Sequence, residues 1–353
     1  MKIRVLVVDD SALMRKYLME ILNQDPRLEV VDTARDGEEA VSKALALRPD
    51  VVTLDLNMPK MDGLTALQLI MERAPCPVVV ISSLTQRGAL TTFEALALGA
   101  VDYVAKPEGT VSLGIKRLAE EIRAKVKAAA VANRAILRER RSRAETPPPP
   151  KAKHAADTMD KLVIIGVSTG GPRVLEEILP NLPADLPAAV IVVQHMPENF
   201  TAAFARRMDN ICPLTVKEAE HGELLTAGKI VVAKGGHHLK VDRVLGTGAL
   251  RVRLSRDTGG GLYVPSVNVT LASARRCLEA RRIVGVLLTG MGDDGADEMV
   301  ALRREGGFTI AESAETAVVW GMPGEAWRRG GAEVLAPAYE IAKLIDQAVR
   351  RPV

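Results

Sequence analysis

The sequence predicts an α/β chain made of two doubly wound parallel-sheet domains. Short apolar runs alternate with helically spaced apolar positions over residues 1–125. A run of prolines, Pro147–Pro150, then interrupts the chain, and the same alternation resumes at Lys161. Alternating strand and helix patterns mark βαβ units, and βαβ units build parallel sheets. With 353 residues there is chain for two buried cores, on a prior of roughly 150 residues per domain.

The first strand is Ile3–Val8, which runs into Asp9-Asp10. Leu13, Met14, Tyr17, Leu18, Ile21 and Leu22 then recur at spacings of three and four, the period of a helix. A strand at Leu28–Thr33 and a helix from about Gly37 to Leu47 follow. Val51–Leu54 reads as a strand ending at Asp55, Val78–Ile81 as one ending at Ser82-Ser83, and Asp102–Ala105 as one ending at Lys106-Pro107.

The carboxyl ends of parallel strands form one edge, so Asp9, Asp10, Asp55, Ser82 and Lys106 converge there. Three carboxylates in one cleft repel each other unless a cation joins them. A hard divalent ion such as Mg²⁺ accepts carboxylate, carbonyl and water oxygens and shares them with a phosphate. Lys106 brings a mobile positive charge suited to a phosphoryl oxygen, and Ser82 can donate a hydrogen bond to the same group. Each of these residues alone would read as a solvated loop charge. Together they read as a place for a metal beside a phosphorylated aspartate.

Val8-Asp9-Asp10-Ser11, Leu54-Asp55-Leu56-Asn57-Met58-Pro59, Met61-Asp62-Gly63, Ser82-Ser83 and Lys106-Pro107 resemble the motifs of the response-regulator receiver domain, a flavodoxin-like fold. The resemblance covers residues 1–125. It implies that Asp55 accepts a phosphoryl group from a histidine kinase. It also implies Mg²⁺ on Asp10, Asp55 and the backbone carbonyl of Asn57, with Asp9 acting at least through water. Ser82 and Lys106 would read the phosphate and shift the far face of the domain.

Residues 126–159 read as a linker, helical at first and then proline-rich. Prolines cannot continue a helix and favour extended polyproline structure. The cluster Arg138-Glu139-Arg140-Arg141-Ser142-Arg143 is basic, but it has no interleaved aromatics and no helix-turn-helix around it. It reads as solvated linker and not as a nucleic-acid contact.

The second domain, 160–353, begins with the buried strand Leu162–Ile165. Gly166-Val167-Ser168-Thr169-Gly170-Gly171-Pro172 follows, a tight turn into a helix through Val174, Leu175, Ile178 and Leu179. Taken alone, Ser168 is equally a helix cap or a reactive hydroxyl at a sheet edge. Ala189–Val193 is a strand ending in Gln194-His195-Met196-Pro197, with a helix at about Phe200–Met208. From about Leu214 to Leu262, short strand-like runs alternate with glycine turns; they read as shorter strands at one side, with antiparallel pairing open to them. A helix at about Val269–Leu278 leads to the strand Ile283–Leu288, which ends in Thr289-Gly290-Met291-Gly292-Asp293-Asp294-Gly295. A helix, a strand at Phe308–Ile310 and a final helix complete the chain.

Ser168, His195 and the Asp293-Asp294 pair therefore share one edge. Ser, His and Asp together suit nucleophilic acyl transfer: the His takes the hydroxyl proton, and the Asp fixes the tautomer and stabilises the imidazolium. The backbone N–H of Met291 or Gly292, with one from the Ser168-Thr169-Gly170 turn, would serve the oxyanion, where losing a donor costs about a hundredfold or more in rate. Spacing does not choose between Asp293 and Asp294. A phosphate-binding reading of the Ser168 turn lacks both the P-loop Lys and the GxGxxG spacing. His237-His238 as a metal site lacks identifiable partners.

Gly166–Pro172, Val193-Gln194-His195-Met196-Pro197, Pro265-Ser266-Val267-Asn268 and Leu288–Ala296 resemble the catalytic domain of the chemotaxis protein-glutamate methylesterases, a larger Rossmann-like fold. The resemblance spans residues 160–350. It implies Ser168 as nucleophile, His195 as base and Asp294 as orienter. It also implies the Met291 backbone as an oxyanion donor, beside which the Thr169 backbone is the candidate from the Ser168 turn. Asp293 stands where that family often has Asn.

The combined resemblance implies a phosphorylation-activated hydrolase of methyl esters on chemoreceptor glutamates, with glutamine deamidation as a second activity through the same acyl-serine. Its partners would be methylated receptor cytoplasmic domains and a histidine kinase. It would use Mg²⁺ at the receiver and no cofactor for the ester reaction. The unphosphorylated receiver is expected to restrict access to Ser168. The alternative is a receiver-controlled binding module whose output domain is catalytically inactive. A DNA-binding output finds no recognition helix. The net charge of +3 implies no broad nucleic-acid or membrane surface. Cys76, Cys212 and Cys277 are far apart, reading as buried thiols in a reducing compartment. There is no signal-peptide pattern or membrane-length apolar run, so a cytoplasmic location is expected.

Overall fold

The computed structural model describes residues 2–83, 86–106, 115–132, 159–257 and 263–352, the side chains of 82–83, 86–87 and 115–117 excepted. The proline run and the basic cluster of the linker lie outside the described residues, as does the 259–261 glycine run. The chain divides into two compact units, Met1–Ala144 and Glu145–Val353.

The first unit runs β1 (Ile3–Val8), α1 (Ala12–Asn23), β2 (Leu28–Ala34), α2 (Gly37–Leu47), β3 (Val51–Asp55), α3 (Gly63–Arg73), β4 (Val78–Ser83), α4 (Gln86–Leu98), β5 (Asp102–Lys106) and α5 (Ile115–Ala130). The strands form a parallel sheet in the order β2-β1-β3-β4-β5. β3 is buried along its whole length, as a central strand covered by helices on both faces must be. Ser11, Asp36 and Asp62 each cap a helix by accepting from an amide three positions on. α5 runs through residue 125 to Ala130 because Ile122, Val126 and Ala129 keep one apolar stripe buried. The direction of the crossovers reverses between β1 and β3, and the crevice beyond their carboxyl ends is where such sheets bind ligands.

The second unit runs β6 (Lys161–Val167), α6 (Gly171–Ile178), β7 (Ala188–Gln194), α7 (Glu198–Ile211), β8 (Thr215–Glu218), β9 (Lys229–Val232), β10 (His238–Arg243), β11 (Leu250–Ser255), α8 (Val267–Cys277), β12 (Ile283–Leu287), α9 (Ala296–Arg304), β13 (Phe308–Glu312), α10 (Met322–Arg328), β14 (Val334–Ala336) and α11 (Ala338–Arg350). Seven strands pair in parallel in the order β14-β13-β12-β6-β7-β9-β8. The switch point falls at β6, whose neighbours are β12 and β7. Ser168, His195 and the loop holding Asp294 follow these three adjacent strands.

The turn-rich middle departs from expectation. β8 and β9 extend the main parallel sheet, and only β10 and β11 form an antiparallel pair. α10 and β14 are additional elements, too short to show a period in the sequence. Cys76 and Cys212 are buried, but Cys277 is only half-buried. All three are free. Among the described residues no helix is long and apolar enough to cross a membrane.

Candidate active site

Ser168 directly follows β6, and its N–H donates to the Thr289 carbonyl at 3.0 Å. Its own carbonyl accepts from the Gly171 N–H at 2.8 Å and from Gln194 Nε2 at 3.1 Å. The residue capping α6 is Gly170, at φ 79°, with no side-chain cap. The Ser168 hydroxyl is therefore not spent on capping, which removes the bland reading of this turn. Gly170 has the left-handed backbone that lets the chain turn from β6 into α6.

His195 is fixed beside this turn through its backbone. Its N–H donates to the Val167 carbonyl at 3.1 Å, and the buried Gln194 amide that binds the Ser168 carbonyl also binds the His195 carbonyl at 3.1 Å. The imidazole Nε2 lies 2.8 Å from Asp294 Oδ2. Nδ1 is buried and, among the described residues, has no hydrogen-bond partner; no hydrogen bond joins the ring to Ser168 Oγ. The face of the ring is stacked on Tyr263, with centroids 4.3 Å apart and planes 7° from parallel.

Asp294 is buried and saturated with donors. Oδ2 also accepts from the Val267 N–H at 2.7 Å. Oδ1 accepts from Ser266 Oγ at 2.8 Å and from the Asn268 N–H at 3.0 Å. Ser266 caps α8, so the carboxylate sits on the unpaired amides of a helix start. Burial alone would raise its pKa, but His195 and the Asn268 and Val267 amides outweigh burial and hold the carboxyl below its ordinary value. An ionised carboxylate can only accept, so Nε2 carries the hydrogen and Nδ1 keeps the basic lone pair. Asp293 is exposed and instead pairs with Arg329 at 2.7 Å. The structure thus separates two aspartates that spacing could not.

The loop after β12 supplies the remaining donors. Gly290 donates to Val319 and accepts from Gly321 and Met322, which locks its position. A Cβ there would fall 2.8 Å from the Ser168 Cβ, so only glycine lets the loop approach Ser168 this closely. Among the described residues nothing accepts from the next amide, Met291 N–H. The Thr169 carbonyl accepts from Thr289 Oγ1 at 2.9 Å, tying the nucleophile turn to this loop. Glu312, fully buried at the end of β13, accepts from the Thr289 N–H at 2.8 Å and from Thr316 Oγ1 at 2.9 Å.

The sequence does not single out Tyr263 or Glu312, and it marks Gln194 and Ser266 only as members of motifs, with no role of their own. Tyr263 is one of only four tyrosines in the chain, which is a weak signal. A Ser just before the expected α8 was a recognisable cap. His237 Nδ1 lies 3.1 Å from the Gly235 carbonyl and Nε2 lies 2.9 Å from Arg256 Nε, an arrangement that holds no metal.

In the first unit, carboxylate oxygens of Asp9, Asp10 and Asp55 lie within 4.8 Å of one another. Asp9 and Asp55 are buried and Asp10 is exposed. Lys106 Nζ bridges Asp55 Oδ2 at 2.7 Å and Asp9 Oδ2 at 2.8 Å. Burial, with the charge of Asp9, lifts the Asp55 pKa despite Lys106. Burial would lower the Lys106 pKa, but Asp55 and Asp9 hold it above its usual value. Crowded carboxylates that one lysine does not fully neutralise, in a cluster of hard oxygen donors, fit a divalent cation such as Mg²⁺. The side chain of Ser82, at the end of β4, lies outside the described residues.

Comparison with known proteins agrees with both units. The CheB methylesterase family matches residues 163–345, and the response regulator receiver domain family matches 5–116. A protein-glutamate methylesterase/protein-glutamine glutaminase 2 of Carboxydothermus hydrogenoformans is 59% identical over 99% of both chains. One from Caldanaerobacter subterraneus is 57% identical, covering 99% of this chain and 97% of the relative. The solved CheB methylesterase catalytic domain of Thermotoga maritima is 40% identical with a TM-score of 0.51, covering 54% of this chain and 99% of that domain. The chain belongs to the receiver-linked CheB family of protein-glutamate methylesterase/protein-glutamine glutaminases.

Proposed function

We propose that this chain hydrolyses γ-methyl esters of glutamate side chains on chemoreceptors, by Ser168, His195 and Asp294, and that phosphorylation of Asp55 raises this activity. The observation that carries the mechanism is the His195 Nε2–Asp294 Oδ2 contact of 2.8 Å, which leaves Nδ1 without a hydrogen-bond partner among the described residues. His195 Nδ1 takes the proton as Ser168 Oγ attacks the ester carbonyl, and the imidazolium formed is held by Asp294. The carbonyl oxygen becomes an oxyanion that accepts from the Met291 N–H and from the Thr169 side of the nucleophile turn. Methanol leaves with the proton from Nδ1. Water, deprotonated by the same nitrogen, then releases the glutamate carboxylate and restores Ser168. A glutamine amide follows the same course and releases ammonia, so deamidation is a second activity of the same site.

In the receiver, the Asp55 carboxylate is the phosphoryl acceptor and a histidine kinase is the donor class. Asp10, Asp55 and the Asn57 carbonyl would hold Mg²⁺, with Asp9 nearby. The ion would neutralise charge between the carboxylates and the phosphoryl oxygens. Lys106, already placed against Asp55, would donate to a phosphoryl oxygen, as would the Ser82 hydroxyl. Work on receptor cytoplasmic helices implies a cytoplasmic location.

The test is methanol release from methylated receptor. Ser168→Ala is expected to abolish it, and full activity of that variant would refute the triad. A phosphoryl donor is expected to stimulate the parent and leave Asp55→Asn unstimulated; equal stimulation would refute the phosphoaspartate switch. No methanol from the phosphorylated parent would favour a binding module.

A further inference from the structure

His195 is the moving part of the proposed site, since it gains and loses a proton in each half-reaction. Among the described residues only one hydrogen bond restrains its ring, from Nε2 to Asp294. A ring held at one nitrogen can pivot about that contact, which would swing Nδ1 away from the nucleophile. The other restraint is the Tyr263 ring, lying flat on the imidazole at 4.3 Å and 7°. Tyr263 also reaches the oxyanion loop: a Cβ at Gly292, which has φ +84°, would meet its hydroxyl at 2.8 Å. One side chain therefore spans from the base to the peptide next to Met291.

We infer that Tyr263 is a positioning residue for His195, whose ring face both stops the imidazole from pivoting and stabilises its charged form. The inference rests on the triad reading above. Physically it needs only an aromatic face. The centre of such a face is electron-rich and attracts a cation lying over it. The phenol is neutral in the working range, because burial and then the charges of Asp294 and Asp293 raise its pKa. Among the described residues, Asp294 lies at the edge of the imidazole and the uncharged Tyr263 at its face, with Asp293 turned to Arg329.

The experiment compares Tyr263→Leu and Tyr263→Phe with the parent in the full-length, phosphorylated protein, following methanol release against pH. Leu fills space but offers no π face; Phe keeps the face and loses the hydroxyl. Tyr263→Leu is expected to lower kcat about three- to thirtyfold with KM little changed, the range of an aromatic–cation contact. The low-pH limb of kcat/KM is expected to move to lower pH by about half a unit, because the protonated base has lost its support. Tyr263→Phe should restore the limb and most of kcat. A purely structural role would lower activity without moving the limb. An unmoved limb in Tyr263→Leu, whether or not kcat falls, would overturn the inference, as would Phe failing as badly as Leu. Ser168→Ala run alongside separates the two claims. If it is inactive while Tyr263→Leu behaves as the parent, the triad stands and the Tyr263 role falls; if it is active, both fall.

Discussion

The Val267 amide donates to Asp294 Oδ2 at 2.7 Å, the same oxygen that lies 2.8 Å from His195 Nε2. The start of α8 and the imidazole thus compete for one carboxylate oxygen, and both are satisfied only while that group is an acceptor.

Asp294→Asn breaks this arrangement. An amide NH₂ on that side would face a donor, and turning it round would set it against Ser266 Oγ and the Asn268 N–H. The imidazole would lose its tautomer, and kcat is expected to fall about a thousandfold or more. Asp293→Asn, which removes only a partly exposed pair with Arg329, should stay within about twofold, since such pairs contribute roughly 0–1 kcal/mol. Methanol-release rates of the two variants check this. Because the folded pKa of Asp294 is depressed, its contribution to stability is present above the ordinary Asp range and lost as pH falls through the depressed value.

Asp55 has the opposite sign. Its folded pKa is raised, so its protonated form is favoured in the native state, and stability falls as pH climbs from the ordinary Asp value through the raised one. At neutral pH the buried charge remains a net cost. Asp55→Asn should therefore raise the receiver's unfolding temperature by about 2–5 °C at pH 7, with the gain vanishing in acid. A lower unfolding temperature at pH 7 would contradict this balance of burial against Lys106.

Mg²⁺ should stabilise the first unit by mass action. At one hundred times its dissociation constant the gain is about 2.7 kcal/mol. Asp10 is exposed, so Asp10→Ala should fold normally yet lose most of that gain. Thermal melts with and without the ion, in both proteins, measure it directly.

Glu312 holds the loop after β12 through the Thr289 N–H. Glu312→Leu strands the Thr289 N–H and the Thr316 hydroxyl in a buried site, a cost of about 1–3 kcal/mol for each group left unpaired. Both unfolding temperature and kcat should fall. Glu312→Gln keeps an acceptor for Thr289 and should recover most of both, whereas equal loss in the two variants would mean that the charge itself is needed.

The fold was legible because apolar runs and helical spacing alternate so regularly, and because residues closing parallel strands share an edge. That rule brings Asp9 to Asp55 and His195 to Asp294 without any long-range information. What escaped it has physical reasons. Four-residue runs such as β8 and β9 say nothing about their partners, so their place in the parallel sheet was not foreseen. Asp293 and Asp294 share one chemistry at adjacent positions, and only the α8 amides and Arg329 tell them apart. Tyr263 meets His195 across a distance in sequence that no local pattern spans. Taken alone, the Ser168 stretch left a cap and a reactive hydroxyl equally open, and in the structure Gly170 takes the cap position.

The His195–Asp294 contact joins residues 99 positions apart, and β12, which carries Asp294 to the edge, pairs with β6 rather than with β7. Long-range parallel pairing is slow, because the loop must close before the contact is gained. Ser168 and His195, which follow β6 and β7, emerge before β12, so the imidazole has no carboxylate to orient it until β12 has been made and inserted. A partly synthesised or partly refolded chain therefore carries both reactive groups in an unassembled state. Hydrolytic activity should return only with the last sheet pairings, well after most of the helix content has formed.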